Sequence, residues 1–133
     1  MGSILVIEDT IAVRVLFRAI LESDGHQVRE AAHGEEGLHE FRRCPAELVV
    51  TDLYMPDGDG IELIVRLRRE WPTVKILAVS GGIGMNGLLH AAKLLGADCA
   101  LAKPVGVEEL QGTVRTLLGL GRQAWAQQDA AAN

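Results

Sequence analysis

Five short apolar runs rich in β-branched residues recur along the chain, and a segment with helical periodicity follows each of them. Such alternation is typical of β-α units around a mostly parallel sheet. The predicted strands are residues 4–7, 27–30, 48–51, 75–79 and 100–102. The first, third and fourth are almost continuously apolar, as expected for strands that helices cover on both faces. The sequence therefore predicts a three-layer α/β sandwich with these three strands at the centre of its sheet.

The apolar positions of the predicted helices recur every three or four residues, which places them on one face. We expect these side chains to face the core: Ile61, Ile64 and Val65 in the third helix, Leu88, Ala92 and Leu95 in the fourth, and Val107, Leu110, Val114 and Leu117 in the fifth. Glu62 and Arg66 are spaced for a surface ion pair worth about 0.3 kcal/mol. The Gln- and Ala-rich end offers little to pack. We therefore expect one domain over 1–119 and a poorly packed tail over 120–133.

Composition restricts the classes of function. The chain has 133 residues, 48% of them hydrophobic and 23% charged, which suits one globular domain. No apolar run approaches the roughly 20 residues needed to span a bilayer, and the start lacks the pattern of a secretory signal, so we expect a cytoplasmic protein without membrane contact. A net charge of -5 without clustered Lys and Arg argues against direct nucleic-acid binding. We expect Cys44 and Cys99 to be reduced and without a role.

Five polar residues stand directly after four of the predicted strands. Glu8 and Asp9 follow the first strand, Asp52 the third, Ser80 the fourth and Lys103 the fifth. In an open parallel sheet the carboxyl ends of the strands share one edge, where ligands bind. Taken singly, the two acids could cap a helix, Ser80 could lie in a turn and Lys103 on the surface. Their joint placement instead predicts one site.

The residue types in this predicted site favour phosphoryl chemistry with a metal ion. Three carboxylates in one place repel one another, and a bound cation would remove that repulsion. Oxygen ligands with open positions suit Mg²⁺, and Mn²⁺ could replace it. An oxygen of Asp52 could then attack phosphorus and form an acyl phosphate. Lys103, the Ser80 hydroxyl and the backbone N–H groups of Ser80 and Gly81 could bind the phosphoryl oxygens.

Residues 3–118 resemble bacterial two-component response-regulator receiver domains, whether stand-alone or excised from a longer protein. The resemblance depends on Ile7-Glu8-Asp9, Thr51-Asp52 followed by Met55-Pro56 and Gly60, Val79-Ser80-Gly81 and Ala102-Lys103-Pro104. It implies a flavodoxin-like (βα)5 fold with a five-stranded parallel sheet of order 2-1-3-4-5. It also implies that a histidine kinase or phosphotransfer protein phosphorylates Asp52, and that output passes to a protein target or a homodimer.

The same resemblance implies further details of the site. Asp9 and Asp52 would bind Mg²⁺ directly, the Tyr54 backbone carbonyl would supply another oxygen, and Glu8 would act largely through water. The Lys103-Pro104 peptide bond would be cis, and the proline amide lowers the cost of that form to about 1 kcal/mol. Such a domain is not an enzyme in the usual sense, although it assists its own phosphorylation and dephosphorylation.

Two positions depart from the family pattern. Glu8 replaces the usual first Asp, and Ala100 stands where the family usually has a Tyr or Phe that moves on phosphorylation. Two hypotheses accompany these departures. The glycine-rich segment 81–87 would become ordered on phosphorylation, and the bulk of Tyr54 would slow hydrolysis of the phosphoryl group.

Two other functions compete with the phosphoacceptor hypothesis. A Mg²⁺-dependent phosphatase resembling the haloacid dehalogenase family also uses an Asp nucleophile, but it needs a second Asp two residues later, where this chain has Tyr54. A receiver-like binding module that signals without phosphorylation is compatible with Ala100. The sequence does not identify the kinase or the target.

Overall fold

The computed structural model describes residues 2–55, 58–81 and 85–132, without the side chains of 55, 58–59, 85–86, 88 and 120–132. The strands are β1 Ser3–Ile7, β2 Gln27–Ala31, β3 Leu48–Asp52, β4 Tyr54–Met55, β5 Gly58–Asp59, β6 Lys75–Ser80 and β7 Cys99–Ala102. The helices are α1 Ile11–Ser23, α2 Gly34–Arg43, α3 Gly60–Glu70, α4 Met85–Leu95 and α5 Val107–Ala132. Each predicted strand is found within one residue at either end. The apolar runs mark the strands closely because polar residues bound them.

Five strands form a parallel sheet in the order β2-β1-β3-β6-β7, which is 2-1-3-4-5 when the strands of this sheet alone are counted. β4 and β5 form a separate two-stranded antiparallel pair. The flavodoxin-like fold predicted from the resemblance is confirmed. In the parallel register Ile7 lies opposite Thr51, and Asp52 lies opposite Val79. The carboxyl ends of β1, β3 and β6 are therefore nearly level, and residues after these strands meet at one edge.

Helices cover both faces of the sheet, and successive side chains of each strand enter opposite halves of the core. Leu5, Ile7 and Val49 belong to one buried cluster, which also contains buried side chains of α2, α3 and α4. Ile4 and Val6 belong to the other cluster, together with side chains of α1 and α5. The central strands are apolar on both faces because both faces are buried, as the sequence predicted.

Several predictions about the helices were wrong in detail. In α3, Leu63 and Leu67 are buried with Ile64, and Ile61 packs against the same cluster as predicted, whereas Val65 is only partly buried. Leu95 and Val107 are exposed. Leu95 is the last residue of α4 and Val107 is the first residue of α5, so periodicity did not predict burial at these helix ends. Ala92, Leu110, Val114 and Leu117 are buried as predicted, and the side chain of Leu88 lies outside the described residues.

The predicted ion pair within α3 is replaced by a contact between helices. Arg66 Nη1 lies 3.2 Å from Glu35 Oε1 of α2, so the ion pair of Arg66 does not depend on Glu62. Sequence spacing indicated only the pairing within α3, and the packing of α2 beside α3 brought Arg66 to Glu35.

The last helix continues past the predicted domain boundary, through Ala132. Side chains from residue 120 onward lie outside the described residues, so the division at 119 and the poor packing of 120–133 stay predictions. Along the described part of the chain, no helix is both long and apolar enough to cross a membrane. Cys44 and Cys99 are free thiols.

Candidate functional site

Three carboxylates meet at the carboxyl edge of the sheet. Glu8 and Asp9 follow β1, and Asp52 ends the neighbouring strand β3. One carboxylate oxygen of each lies within 4.8 Å of the others. Glu8 is 1% exposed and Asp52 is 7% exposed, whereas Asp9 is more open to solvent. Pairing of β1 with β3 explains the approach of these residues, which the strand-end pattern predicted.

Lys103 lies between two of these carboxylates. Its Nζ donates to Glu8 Oε2 at 2.9 Å and to Asp52 Oδ2 at 3.1 Å. The backbone positions it, since its N–H donates to the Ser80 carbonyl at 2.8 Å and the following Lys103-Pro104 peptide bond is cis, the form that the resemblance implies. Gly81 leaves room for it, because a Cβ there would lie 2.9 Å from the Lys103 Cβ. A single ammonium group thus bridges β1 and β3.

The three charges influence one another through a partly shielded site. Burial raises the pKa of Glu8, and the nearby charge of Asp52 raises it further, while Lys103 opposes both. Burial acts to lower the pKa of Lys103, but its hydrogen bond to Glu8 and the charges of Asp52 and Glu8 outweigh that, so the pKa is raised. Lys103 therefore stays protonated at neutral pH and offsets part of the carboxylate charge.

Ser80 provides a buried hydroxyl at the same edge. It ends β6, whose preceding residue Val79 lies opposite Asp52 in the sheet. Its Oγ is fully buried and has no hydrogen-bond partner among the described residues. A buried hydroxyl without a partner is costly, so this atom is available to a bound group. The structure therefore brings Glu8, Asp9, Asp52, Ser80 and Lys103 together.

Tyr54 contributes its backbone to the site. Its N–H donates to Asp52 Oδ1 at 3.1 Å, while its side chain is 69% exposed. Both oxygens of Asp52 thus have a donor, one from Tyr54 and one from Lys103. The direct role of the Tyr54 carbonyl toward a metal stays a prediction. Residues 56–57 and residues 82–84 of the glycine-rich segment lie outside the described residues.

Sequence reasoning assigned no structural role to three residues that hold the site in place. The Thr10 N–H donates to Glu8 Oε1 at 3.2 Å, and Arg14 Nη1 donates to the Glu8 carbonyl at 2.8 Å. Gly60 packs against β3 so closely that a Cβ would lie 2.4 Å from the Asp52 carbonyl oxygen. Gly60 had a signal in the family pattern. The other two contacts have none in the sequence, because they depend on the turn between β1 and α1.

The donor set fits a hard divalent cation. All three carboxylates offer oxygen, the ligand that Mg²⁺ prefers. Both Glu8 oxygens already accept hydrogen bonds, from Thr10 and Lys103, whereas the Asp9 carboxylate has no hydrogen bond or ion pair among the described residues. The Asp9 carboxylate is therefore the best placed direct ligand, since both oxygens of Asp52, like those of Glu8, accept hydrogen bonds.

Comparison with known proteins agrees with this geometry. Residues 4–115 match the family model of the response regulator receiver domain. Over 118 residues the chain is 40% identical to the KDP operon transcriptional regulatory protein KdpE of Escherichia coli. The aligned region covers 89% of this chain and 52% of KdpE. It is 27% identical to sporulation initiation phosphotransferase F of Bacillus subtilis, over 88% of this chain and 94% of that protein. The chain thus spans about half the length of KdpE.

Solved structures show the same fold. A response regulator receiver domain protein from Clostridium thermocellum superposes with a TM-score of 0.84 at 26% identity, over 90% of this chain and 95% of that one. The family match covers most of the chain, and both the sheet order and the acidic edge agree with it. This chain belongs to the response regulator receiver domain family.

Proposed function

We propose that Asp52 is the phosphoacceptor of a two-component or phosphorelay system, and that it receives the phosphoryl group in a Mg²⁺-dependent reaction. The observation that carries this proposal is the position of Asp52. Its carboxylate ends a buried strand, contacts Lys103 at 3.1 Å and lies within 4.8 Å of the other two acids. A buried carboxylate with one cation and two neighbouring acids is arranged to gain a positive ion and a covalent partner.

In the proposed transfer, an oxygen of Asp52 forms a bond to phosphorus while the bond between phosphorus and a histidine nitrogen of the donor breaks. The imidazole leaves with the electron pair and takes up a proton. Lys103 stays charged and can move from Glu8 and Asp52 toward the phosphoryl oxygens. The free Ser80 hydroxyl and the Gly81 N–H donate to the same oxygens. The chain's own residues thus stabilise the charge that is transferred.

Asp9 and Asp52 would hold Mg²⁺, with the Tyr54 carbonyl as a further ligand and Glu8 acting through water. Bound there, the ion would offset the charge of the carboxylates and of the incoming phosphoryl group. Mn²⁺ would serve in the same place. Glu8 accepts a hydrogen bond from Lys103 and holds it in position. The longer side chain of Glu8 thus orients Lys103 in the absence of a metal.

The donor in this proposal is a histidine kinase or a histidine phosphotransfer protein, and the setting is the cytoplasm. Output passes through contact with a protein target or a second copy of the chain. The names of the relatives support two such routes. KdpE is a transcriptional regulatory protein, whereas the Bacillus relative is a phosphotransferase that this chain covers almost entirely.

Incubation with Mg²⁺ and acetyl phosphate, followed by intact mass measurement, tests the proposal. We expect one phosphate adduct on the parent chain and none on Asp52→Asn. Asp24→Asn is the matched control, since Asp24 pairs with Arg115 at the opposite end of the sheet and its variant should still be modified. An adduct that persists in the Asp52 variant would refute the assignment.

A second candidate is a receiver-like module that signals without phosphorylation. Ala100 favours it, because a methyl group in β7 replaces the aromatic side chain whose movement the family uses. This candidate predicts no adduct on the parent chain even with Mg²⁺ bound. The same mass measurement therefore separates the two.

A further inference from the structure

The turn that carries Glu8 and Asp9 is held by β2 and by one arginine of α1. The Glu8 N–H donates to the Ala31 carbonyl at 3.1 Å, at the end of β2. The Glu8 carbonyl accepts from Arg14 Nη1 at 2.8 Å. The Ile7-Glu8 peptide is therefore held by Ala31 and the Glu8-Asp9 peptide by Arg14, so the backbone on both sides of the Glu8 Cα has little freedom to rotate.

Arg14 is itself fixed by β2. Its Nε lies 3.0 Å from Glu30 Oε1, and Glu30 precedes Ala31 in the strand. Arg14 is largely buried, with a side chain 16% exposed, so this pair is better shielded from solvent than an ordinary surface ion pair. The guanidinium thus connects α1, β2 and the turn after β1.

Asp9 depends on this arrangement more than its neighbours do. Its carboxylate has no hydrogen bond or ion pair among the described residues, whereas Glu8 and Asp52 are each held by donors from other segments. The direction of the Asp9 side chain is therefore set by the backbone that bears it. We propose that Arg14 is a positioning residue, which holds the Glu8-Asp9 peptide so that Asp9 is pre-organised to bind the divalent cation.

This inference rests on the proposed function, since it concerns binding of the proposed Mg²⁺. Residues that orient a metal ligand without binding the metal themselves commonly change metal affinity tenfold or more when they are removed. Without the Arg14 donor, the Glu8 carbonyl can turn toward solvent, and the Asp9 carboxylate must be ordered when the metal binds. The expected effect is a roughly tenfold larger Kd for Mg²⁺ in Arg14→Met.

Arg18 provides a matched control one helical turn later. Its Nη1 lies 2.7 Å from Glu30 Oε2, the other oxygen of the same carboxylate, and it has no contact with the Glu8 carbonyl. Arg14→Met and Arg18→Met each remove one ion pair to Glu30 and leave the other, and Arg18→Met also removes the exposed pair of Arg18 with Glu22. A purely structural role would give both variants the same change in Mg²⁺ affinity.

The experiment is calorimetric titration of Mg²⁺ into the parent and both variants, with melting temperatures measured in EDTA. We expect similar melting temperatures for the two variants and weaker Mg²⁺ binding in Arg14→Met alone. Equal Kd values in the two variants would overturn the inference and leave the proposed function intact. Failure of the parent to bind Mg²⁺ would overturn both.

Two further measurements complete the test. If Arg14→Met does not fold, Arg14→Lys and Arg18→Lys take its place, because one ammonium cannot reproduce both contacts of Arg14. A Kd that is unchanged in Arg14→Lys relative to Arg18→Lys would overturn the inference. At saturating Mg²⁺, acetyl phosphate should modify the Arg14 variant at close to the parent rate, since the metal dependence is what shifts. A rate that stays low at saturating Mg²⁺ would overturn the inference, because the defect would then lie outside metal binding.

Discussion

Removal of the Lys103 ammonium should destabilise the protein and at the same time strengthen its binding of Mg²⁺. In Lys103→Met the unbranched stem is kept, while the donors to Glu8 and Asp52 are lost. These two carboxylates are almost fully buried, so the variant leaves two acids facing each other without a cation. Stability should fall while Mg²⁺ affinity rises, whereas a general folding defect would lower both.

The contact distances give the size of the effect. At 2.9 and 3.1 Å, each contact has a gross attraction of about 5 kcal/mol at an effective dielectric constant of 20. Desolvation of three charged groups offsets most of this. Loss of one partner of a buried pair commonly costs about 3 to 5 kcal/mol, and Lys103 is 24% exposed, which reduces the cost. We expect the free energy of unfolding to fall by about 2 to 3 kcal/mol near pH 8 without metal.

The loss of stability should depend on pH with a defined sign. Burial and the charge of Asp52 raise the pKa of Glu8, and Lys103 opposes them, so removal of Lys103 raises this pKa further. An acid whose pKa is higher in the folded state binds more protons there than in the unfolded chain. The free energy of unfolding therefore increases as pH falls through the folded-state value toward the ordinary value of 4.5. The difference between variant and parent should therefore shrink as pH falls toward 4.5.

Urea unfolding in EDTA at several pH values measures the stability change, and calorimetry at pH 8 measures Mg²⁺ affinity. Because an ammonium beside the carboxylates repels a dication, we expect roughly tenfold tighter Mg²⁺ binding in the variant. Lys93→Met is the control, since Lys93 is exposed on α4 and forms no ion pair among the described residues. The reasoning is refuted if the stability loss is independent of pH, or if Lys103→Met binds Mg²⁺ more weakly than the parent.

Two further substitutions test how the close packing of Gly60 on β3 and the side chain of Tyr54 shape the site. Gly60→Ala should lower the free energy of unfolding by about 2 to 3 kcal/mol in urea titrations, because its Cβ would meet the Asp52 carbonyl oxygen at 2.4 Å. Gly112→Ala is the control, because a Cβ there meets nothing within 4 Å, and it should stabilise α5 by about 0.5 to 1 kcal/mol. Equal effects of the two substitutions would contradict the packing argument. Tyr54→Asn should shorten the lifetime of phosphorylated Asp52 severalfold in a phosphate-release assay while Tyr54→Phe does not; an unchanged lifetime would rule out shielding by Tyr54.

The sequence was sufficient for the strands and for the edge that carries the site. Apolar runs such as 48–51 are local signals, since a strand covered on both faces must be apolar on both. The polar residue that ends such a run then falls at the carboxyl edge of a parallel sheet wherever the strand lies within it. The meeting of Asp9, Asp52 and Lys103 follows from that rule, and the resemblance supplied the strand order.

Contacts between distant segments were decided only by the tertiary structure. The hydrogen bond from Lys103 to Glu8 joins residues 95 positions apart, and the bond from Arg14 to the Glu8 carbonyl depends on the path of a turn. Periodicity also placed Leu95 and Val107 in the core, although both are exposed at the ends of their helices. A repeat along the chain fixes which side chains share a face, because backbone geometry is local. The neighbour that each face meets depends on how separate elements pack, and no single segment contains that information.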